Sequence, residues 1–198
     1  MEIAERCEVK VYGRFLKRVV DVAISAGALV VLSPVMLLIA AAITLEDGRP
    51  VFFRQKRVGR GGELFEVFKF RSMPVATRNM PSAQAGQLKV TRVGKVIRRT
   101  NLDELPQLFN ILRGEMSVVG PRPPLPSQLE LCQIRETNGA IDCKPGLTGL
   151  AQINAYDGMP EKEKARWDGT YAAKLSFVSD MSIILRTFRY LSKRPPVY

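Results

Sequence analysis

The chain has 198 residues, of which 46% are hydrophobic and 25% charged, a composition typical of one folded domain with an accessory segment. Its 30 Lys and Arg outnumber 19 Asp and Glu, and the formal net charge of +11 favours a negatively charged partner such as nucleic acid, anionic lipid or a phosphorylated substrate. The chain has no histidine, which excludes Ser-His and Cys-His nucleophiles, and its three cysteines are too widely spaced to suggest a zinc site or a disulfide framework. Any chemistry therefore has to use carboxylates, Lys, Arg and a hard cation such as magnesium.

The first predicted element is an uncharged run over residues 22–43, about long enough as a helix to span a hydrocarbon core of roughly 30 Å. Ser33 and Pro34 lie in its middle, and a proline inside a helix removes a hydrogen bond and bends the axis. Short flanks rich in Lys and Arg tend to stay cytoplasmic, and both flanks of this run are basic. The basic residues are Lys10, Arg14, Lys17 and Arg18 before it, and Arg49, Arg54, Lys56, Arg57 and Arg60 after it.

A helix broken at Ser33-Pro34 that enters and leaves through one leaflet satisfies both flanks, with the Ser33 hydroxyl partly satisfying the freed carbonyls. Two alternatives stay open. One is a kinked anchor that spans the membrane. The other is a signal peptide, since the "AAA" at 40–42 imitates a cleavage site, although four preceding acids suit a signal poorly. We predict a membrane-associated re-entrant helix over residues 1–45 and a cytoplasmic domain over 46–198.

The second predicted element is a β-hairpin with strands over 51–57 and 64–73, separated by three glycines. Most of the excess positive charge lies here and just beyond, because residues 54–99 hold twelve basic residues and two acids. Lys69 and Arg71 alternate with phenylalanines, so we expect their side chains to share one strand face, which would line a phosphate site or meet lipid headgroups. A loop is predicted over 74–91.

The segment "RRTNLDELPQLFNILRG", residues 98–114, predicts an amphipathic helix that ends at Gly114 and starts at Asn101 or nearer Glu104. Either start places Asp103 and Glu104 at the helix N-terminus, where the macrodipole lowers the pKa of a carboxylate. Acids at this position commonly do no more than stabilise a helix. Beside so many cations, however, an ionised carboxylate can act as a nucleophile toward phosphorus, with magnesium offsetting the charge.

The remaining elements are a stiff extended segment over 120–126, turn chemistry over 144–149 and helices over 160–175 and 179–194. Arg122 on the stiff segment suits bidentate capture of a phosphate, and Lys144 is a second candidate; each is equally well explained as an ordinary surface residue. The last helix mixes apolar and basic residues, as expected of a helix at a membrane surface or of a domain helix with a solvated basic face.

Three motifs in this order, "FKFRSM", "RRTNLDELPQLFNILRGEMSVVGPRPP" and "KPGLTGLAQIN", behind an apolar Ser-Pro segment, closely resemble the bacterial sugar transferases called monotopic phosphoglycosyl transferases. The resemblance covers roughly residue 14 to the C-terminus. It implies transfer of a phosphosugar from a UDP-sugar to a polyprenol phosphate, with undecaprenyl phosphate as the expected acceptor. UMP would be released at the cytoplasmic face of the bacterial inner membrane.

The resemblance also implies roles for individual residues. Asp103 would be the nucleophile that forms a covalent phosphosugar intermediate, and Glu104 its partner in binding Mg²⁺ or handling protons. Arg98 would match a position associated with the lipid phosphate, and Ser33 and Pro34 the break of the re-entrant helix. Further positions would belong to the nucleotide-holding loop, namely Pro121, Arg122 and Pro123.

The sequence departs from the family pattern after "GLAQ", where "INAYDGMP" stands in place of "VNGR", so the resemblance does not assign the sugar or nucleotide contacts of this loop. No extra N-terminal membrane domain precedes the apolar run, which gives the expectation of a minimal catalytic unit. The fold class expected is mixed α/β, rich in helix, with a small β-hairpin or sheet. It would consist of an N-terminal re-entrant membrane helix hairpin and a compact cytoplasmic catalytic domain that carries interfacial amphipathic helices.

The partners expected are a UDP-sugar donor, a polyprenol phosphate acceptor and inner-membrane lipid, with homodimer formation left open and no nucleic acid. The rival hypothesis is a membrane-anchored basic protein that binds anionic lipid or nucleic acid without catalysis. In that case Asp103 and Glu104 would only cap a helix. The two differ in their dependence on salt and on Asp103.

Overall fold

The structure is a computed structural model that describes residues 12–74, 90–156 and 159–191. A π-helical turn, Tyr12–Leu16, leads into helix α1, Lys17–Asp47, which contains Ser33 and Pro34. Pro34 does not divide α1 into two helices. It lacks the N–H that would bond the carbonyl of Val30, and the Ser33 hydroxyl donates to that carbonyl instead, at 2.8 Å. The predicted role of Ser33 in satisfying this group is confirmed.

One face of α1 packs against the rest of the protein along its whole length. The covered positions recur every three or four residues, the spacing of a single helical stripe. They are Lys17, Asp21, Ser25, Ala28, Leu32, Met36, Ile39 and Ile43. The opposite face is apolar and exposed, with Val30, Val31, Leu37 and Leu38 each at least 71% accessible. Among the described residues, α1 is the helix long and apolar enough to cross a membrane.

The predicted hairpin is confirmed, with antiparallel strands β1, Phe52–Val58, and β2, Leu64–Phe70. Its loop turns through Gly61 and Gly62, which adopt φ of 64° and 84°. Most of the loop predicted over 74–91 lies outside the described residues. Helix α2, Arg92–Arg99, was not predicted, and the Thr91 hydroxyl caps it by accepting from the Gly94 N–H at 2.8 Å.

The helix predicted within residues 98–114 is shorter than expected. Helix α3 runs over Gln107–Arg113 and ends at Gly114 with φ 85°. The two acids lie before it, in a separate 3₁₀ turn, Leu102–Glu104, which follows Asn101 in the left-handed conformation. The prediction that they occupy the first turn of the helix was therefore wrong, because Pro106 takes the N-cap position and starts the α-helix after them.

Two short strands, β3, Ser117–Val119, and β4, Gly146–Thr148, form a parallel pair. The segment predicted to be a turn over 144–149 therefore contains a strand. The extended segment 120–126 follows β3 as predicted, and helix α4, Leu129–Thr137, comes after it. The remaining helices are α5, Leu150–Ile153, α6, Glu161–Ala173, and α7, Phe177–Leu191; the last two confirm the helices predicted over 160–175 and 179–194.

In the part of the chain that the structure describes, two apolar cores hold these elements together. The larger core joins β2, α3, β3, α6 and α7 around residues such as Ile111, Met116 and Tyr171. The smaller core joins the second half of α1 to Phe70 and Ile97. The architecture is thus mixed α/β, with a long N-terminal apolar helix and small sheets, which agrees with the predicted fold class at this level.

Candidate active site

The candidate site forms where the 3₁₀ turn holding Asp103 and Glu104 meets β2 and the extended segment after β3. Glu104 accepts from Lys69 Nζ at 2.7 Å and from Arg122 NH2 at 2.6 Å. Lys69 comes from the hairpin, and Arg122 lies 18 residues beyond Glu104 in the chain. The structure therefore brings together three residues that the sequence proposed on separate grounds.

Glu104 is held as a carboxylate. Burial alone would raise its pKa, but the charges and hydrogen bonds of Arg122 and Lys69 outweigh burial and lower the pKa of Glu104 to about 2. Its side chain is 13% exposed, whereas that of Arg122 is 49% exposed. Arg122 thus reaches from a fixed carboxylate toward solvent, where a substrate can meet it.

Asp103 has different surroundings. Its carboxylate forms no ion pair with any residue that the structure describes, although Lys69 and Arg98 are close enough to lower its pKa. Burial and the adjacent charge of Glu104 outweigh these cations and raise the pKa of Asp103 above its ordinary value. The expectation that a helix macrodipole lowers this pKa was wrong, because Asp103 does not lie in the first turn of α3.

Arg98 lies near Asp103, whereas Arg71 contacts the C-terminus of α1. Arg98 Nε donates to the Ser72 hydroxyl at 2.8 Å, and its charge acts on Asp103. Arg71 is buried, and its partners differ from that of Lys69, which bonds Glu104. It donates to the carbonyls of Asp47 and Gly48 at 2.9 and 2.8 Å, at the C-terminus of α1. Arg71 thus bonds carbonyl groups at the C-terminus of α1, which is a structural role. Its binding of substrate stays a prediction.

Lys144 lies apart from the acidic pair, at the opposite end of α3. A Cβ on Gly114 would be 3.7 Å from Lys144 Nζ and 3.6 Å from Arg18 NH2. Burial, with the charges of Arg18, Arg60 and Lys17, lowers the pKa of Lys144 although Asp21 opposes this. The structure therefore does not bring Lys144 to Glu104, and its binding of substrate stays a prediction.

The segment with Pro121, Arg122 and Pro123 is held through its carbonyl groups, since proline has no backbone N–H to donate. Four successive carbonyls each accept a hydrogen bond. The donors are Gly146 N–H to Pro121 at 2.8 Å, Arg135 NH1 to Arg122 at 3.0 Å, Arg57 NH1 to Pro123 at 3.2 Å and Val58 N–H to Pro124 at 3.0 Å. The backbone that carries Arg122 is thus fixed by three different elements.

Arg57 is a residue of the site that sequence reasoning missed. In the sequence it is one of several basic residues that follow the apolar run. Burial and the nearby charge of Arg122 lower the pKa of Arg57, and the charge of Glu104 opposes this. Its side chain donates to Gln55 Oε1 at 2.7 Å. No sequence signal separates Arg57 from its basic neighbours, because its nearness to Arg122 depends on a contact 66 residues apart.

The donor set suits magnesium only in part. Mg²⁺ usually takes one or two carboxylates and completes its shell with water and substrate phosphates. Glu104 is already bound by Lys69 and Arg122, so it fits a metal ligand poorly. Asp103 fits better. In the described part of the chain, no group of three or more Cys, Asp or Glu side chains is placed to hold a metal without a substrate.

The family model described as "Bacterial sugar transferase" matches residues 12–194. The chain is 40% identical over 180 residues to a UDP-glucose:undecaprenyl-phosphate glucose-1-phosphate transferase of Caulobacter vibrioides, covering 86% of this chain and 67% of the relative. It is 36% identical over 203 residues to the undecaprenyl-phosphate galactose phosphotransferase of Salmonella typhimurium, covering 93% of this chain and 42% of the relative.

A third relative is the exopolysaccharide production protein ExoY of Sinorhizobium fredii, 35% identical over 196 residues, with 90% of this chain and 86% of the relative covered. The chain therefore spans less than half of the Salmonella relative and most of the Sinorhizobium one. All of the site residues described above lie within the matched range.

Proposed function

Because the chain belongs to the bacterial sugar transferase family, we propose that it transfers a phosphosugar from a UDP-sugar to a polyprenol phosphate and releases UMP. The acceptor proposed is undecaprenyl phosphate, the acceptor in the printed names of the Caulobacter and Salmonella relatives. The product would begin a membrane glycoconjugate or polysaccharide. The alternative of a basic protein that binds lipid or nucleic acid without catalysis is not favoured by these relatives.

The observation that carries the proposal is the contrast between the two acids. Glu104 is neutralised by Lys69 and Arg122, whereas Asp103 beside it has no ion pair among the described residues. A nucleophile has to keep its lone pairs available, and Asp103 meets that need. The surrounding cations, Arg98, Lys69 and Arg122, supply positive charge where the oxygens of a diphosphate would gain negative charge.

In the proposed first step, an Asp103 carboxylate oxygen attacks the β-phosphorus of the UDP-sugar. A bond forms between that oxygen and phosphorus, the bond from phosphorus to the bridging oxygen breaks, and UMP leaves with the electron pair. In the second step, an oxygen of the polyprenol phosphate attacks the same phosphorus and frees Asp103. The acceptor is a phosphate already largely ionised near pH 7, so neither step requires a histidine base.

Each cation has a separate part in this proposal. Arg122 would bind the donor phosphates through its exposed guanidinium, and Glu104 would hold Arg122 and Lys69 in place. Arg98 would bind the acceptor phosphate from the side of α1. Magnesium, which we propose Asp103 and the donor phosphates hold together, would supply further charge neutralisation.

The membrane arrangement proposed is re-entrant, with both ends of α1 at the cytoplasmic face of the inner membrane. Near its start, Lys17 bonds Asp180 at 2.6 Å and Asp21 accepts from the Val118 N–H at 2.9 Å. At its end, Glu46 accepts from the N–H groups of Arg92 and Val93. A helix tied to one domain at both ends supports a path that does not cross the bilayer, and the basic flanks support the cytoplasmic side.

The test is UMP release by the purified protein in detergent, with a panel of UDP-sugars, undecaprenyl phosphate and magnesium. We expect release with at least one sugar, abolished by chelator and reduced on the order of 10³-fold or more by Asp103→Asn. Asp142→Asn is the matched control, because Asp142 is exposed and also lies in a 3₁₀ turn. If folded protein releases no UMP across the panel, or Asp103→Asn retains activity, the proposed reaction is wrong.

A further inference from the structure

A buried ion pair lies behind the candidate site, outside the residues assigned to the reaction. Arg135 on α4 and Asp168 on α6 are 4% and 1% exposed. Arg135 donates to Asp168 Oδ2 through Nε at 3.0 Å and through NH2 at 2.6 Å. Its remaining nitrogen, NH1, donates to the backbone carbonyl of Arg122 at 3.0 Å. The guanidinium therefore connects α6 to the residue that carries the exposed cation of the site.

Packing alone does not account for this pair. Burying two charges costs a large desolvation free energy, and an apolar pair of similar volume often stabilises a protein as well or better. Asp168 illustrates the cost, since burial raises its pKa even though Arg135 opposes this. The feature that an apolar pair would lack is the third hydrogen bond, from Arg135 to Arg122.

The hydrogen bond from Arg135 fixes the backbone of a residue that lies in the candidate active site. The Arg122 side chain is half exposed and bonds Glu104, so its reach into the site depends on where its own backbone lies. The backbone on both sides of Arg122 is proline, which leaves carbonyl groups as the means of fixing it. A displacement of about 1 Å at a substrate-binding group can lower a rate on the order of 10²-fold.

We propose that Arg135, oriented by Asp168, is a positioning residue that fixes Arg122 for binding the phosphates of the donor. Because Arg135 is buried, this role requires no contact with donor or acceptor. The proposal rests on the proposed function for its effect on the reaction, but the ordering of the proline segment by Arg135 is a property of the structure itself.

Arg135→Lys separates the two parts of this arrangement. Lysine keeps the positive charge and can pair with Asp168. Its single ammonium lacks the planar fork that donates to Asp168 and to the Arg122 carbonyl together. The variant therefore retains charge compensation in the interior while it loses the link to Arg122.

The matched control is Asn138→Ala. Asn138 also lies at α4 and donates to the Ala165 carbonyl on α6 at 2.8 Å, so its removal loosens the same helix pair. It has no hydrogen bond to the proline segment among the described residues. A loss caused only by weaker packing of α4 on α6 would appear in both variants.

The kinetic test is a double-mutant cycle on UMP formation with Arg135→Lys, Arg122→Ala and the two combined. We expect Arg135→Lys to lower kcat/KM for the UDP-sugar about tenfold, mainly through KM, and by less than about twofold when Arg122 is already alanine. Asn138→Ala should leave kcat/KM within about twofold of wild type. Additive losses in the double variant, or an equal loss in Asn138→Ala, would overturn the proposal.

A second readout does not depend on activity. The amides of Val58 and Gly146 donate to the carbonyls of Pro124 and Pro121, so their hydrogen exchange reports on the anchoring of the proline segment. We expect both amides to exchange faster in Arg135→Lys than in Asn138→Ala. Unchanged exchange in Arg135→Lys would reject the positioning role even if the protein is active. Faster exchange in a protein that releases no UMP would support the positioning role and reject the proposed reaction.

Discussion

Asp103 and Glu104 are adjacent in the chain, yet their pKa values shift in opposite directions. Glu104 receives two cations from other parts of the fold, and Asp103 is left with burial and the charge of its neighbour. Over the working range of an enzyme, Glu104 is always ionised. Asp103 is the carboxylate whose charge changes as the solution becomes acidic.

This contrast predicts the pH profile of the first step. If Asp103 is the nucleophile, as proposed, the first step requires it to be ionised, so kcat/KM for the UDP-sugar should fall as the pH decreases through the raised pKa of Asp103. A Lys69→Met variant should move this acid limb to higher pH, because the charge of Lys69 lowers the pKa of Asp103. The measurement is kcat/KM against pH, which reports groups of the free enzyme.

Lys56→Met provides the control, since it removes the same charge from an exposed position on β1 of the same hairpin. Its acid limb should coincide with that of wild type. An equal shift in both variants would mean that net charge rather than Lys69 sets the pKa of Asp103.

At this scale the sequence predicted the members of the site better than their contacts. The motifs named Asp103, Glu104, Arg122 and Lys69, and the structure places the last three in one ion-pair cluster. The assignment of both cations to Glu104 could not be predicted, because it depends on how β2 and the proline segment meet the 3₁₀ turn. Sequence pattern contains no information on such a contact when no local spacing connects its residues.

At the scale of elements, the parallel pair of β3 and β4 fixes the start of the proline segment. Gly120 and Gly146 are required here because the two backbones approach each other closely, and neither residue has a positive φ. A Cβ on Gly146 would collide with the backbone N of Gly120, and one on Gly120 would collide with the carbonyl of Lys144. The two chains lie too close for any side chain at these positions.

We therefore expect Gly146→Ala to destabilise the protein by about 3 kcal/mol, the upper part of the range for overpacking. For a chain of this size this lowers the Tm by about 6–12 °C. Gly27→Ala is the control, because a Cβ there meets no atom within 4 Å and alanine favours a helix. A Tm for Gly146→Ala equal to that of the control would contradict the close packing of the strands.

Elements with a long periodic pattern were predicted well, and short ones poorly. The hairpin, α6 and α7 each have a pattern of seven or more residues. Strands β3 and β4 have three residues each, too few to show alternation, and their partners are about 29 positions apart. Helix α2 has a glycine in its interior, which weakens the signal for a helix.

At the scale of the whole molecule, α1 serves as part of the core and as the proposed membrane element. Its packed stripe supplies Met36, Ile39 and Ile43 to the smaller core, and its exposed face is apolar. The division at residues 45 and 46 stays a prediction, but the two parts share a buried surface.

The re-entrant arrangement predicts that both ends of α1 lie on the same side of the membrane. Single cysteines at Phe15 and Arg49, two exposed positions, would test this in a chain whose three native cysteines are replaced. In spheroplasts, an impermeant maleimide should label neither position until the membrane is permeabilised. Labelling of one position and protection of the other would show that α1 crosses the bilayer.

The ion pair between Lys17 and Asp180 also has a consequence in time. The two residues are 163 positions apart, so at about 5–20 residues per second the ribosome makes Asp180 roughly 10–30 s after Lys17. Throughout that interval Lys17 lacks the acid with which it forms its ion pair, and a charge without a counter-charge is costly in hydrocarbon. In the proposed membrane arrangement, the start of α1 would therefore stay at the aqueous boundary of the bilayer until Asp180 is made, and this ion pair would be among the last contacts of the chain to form.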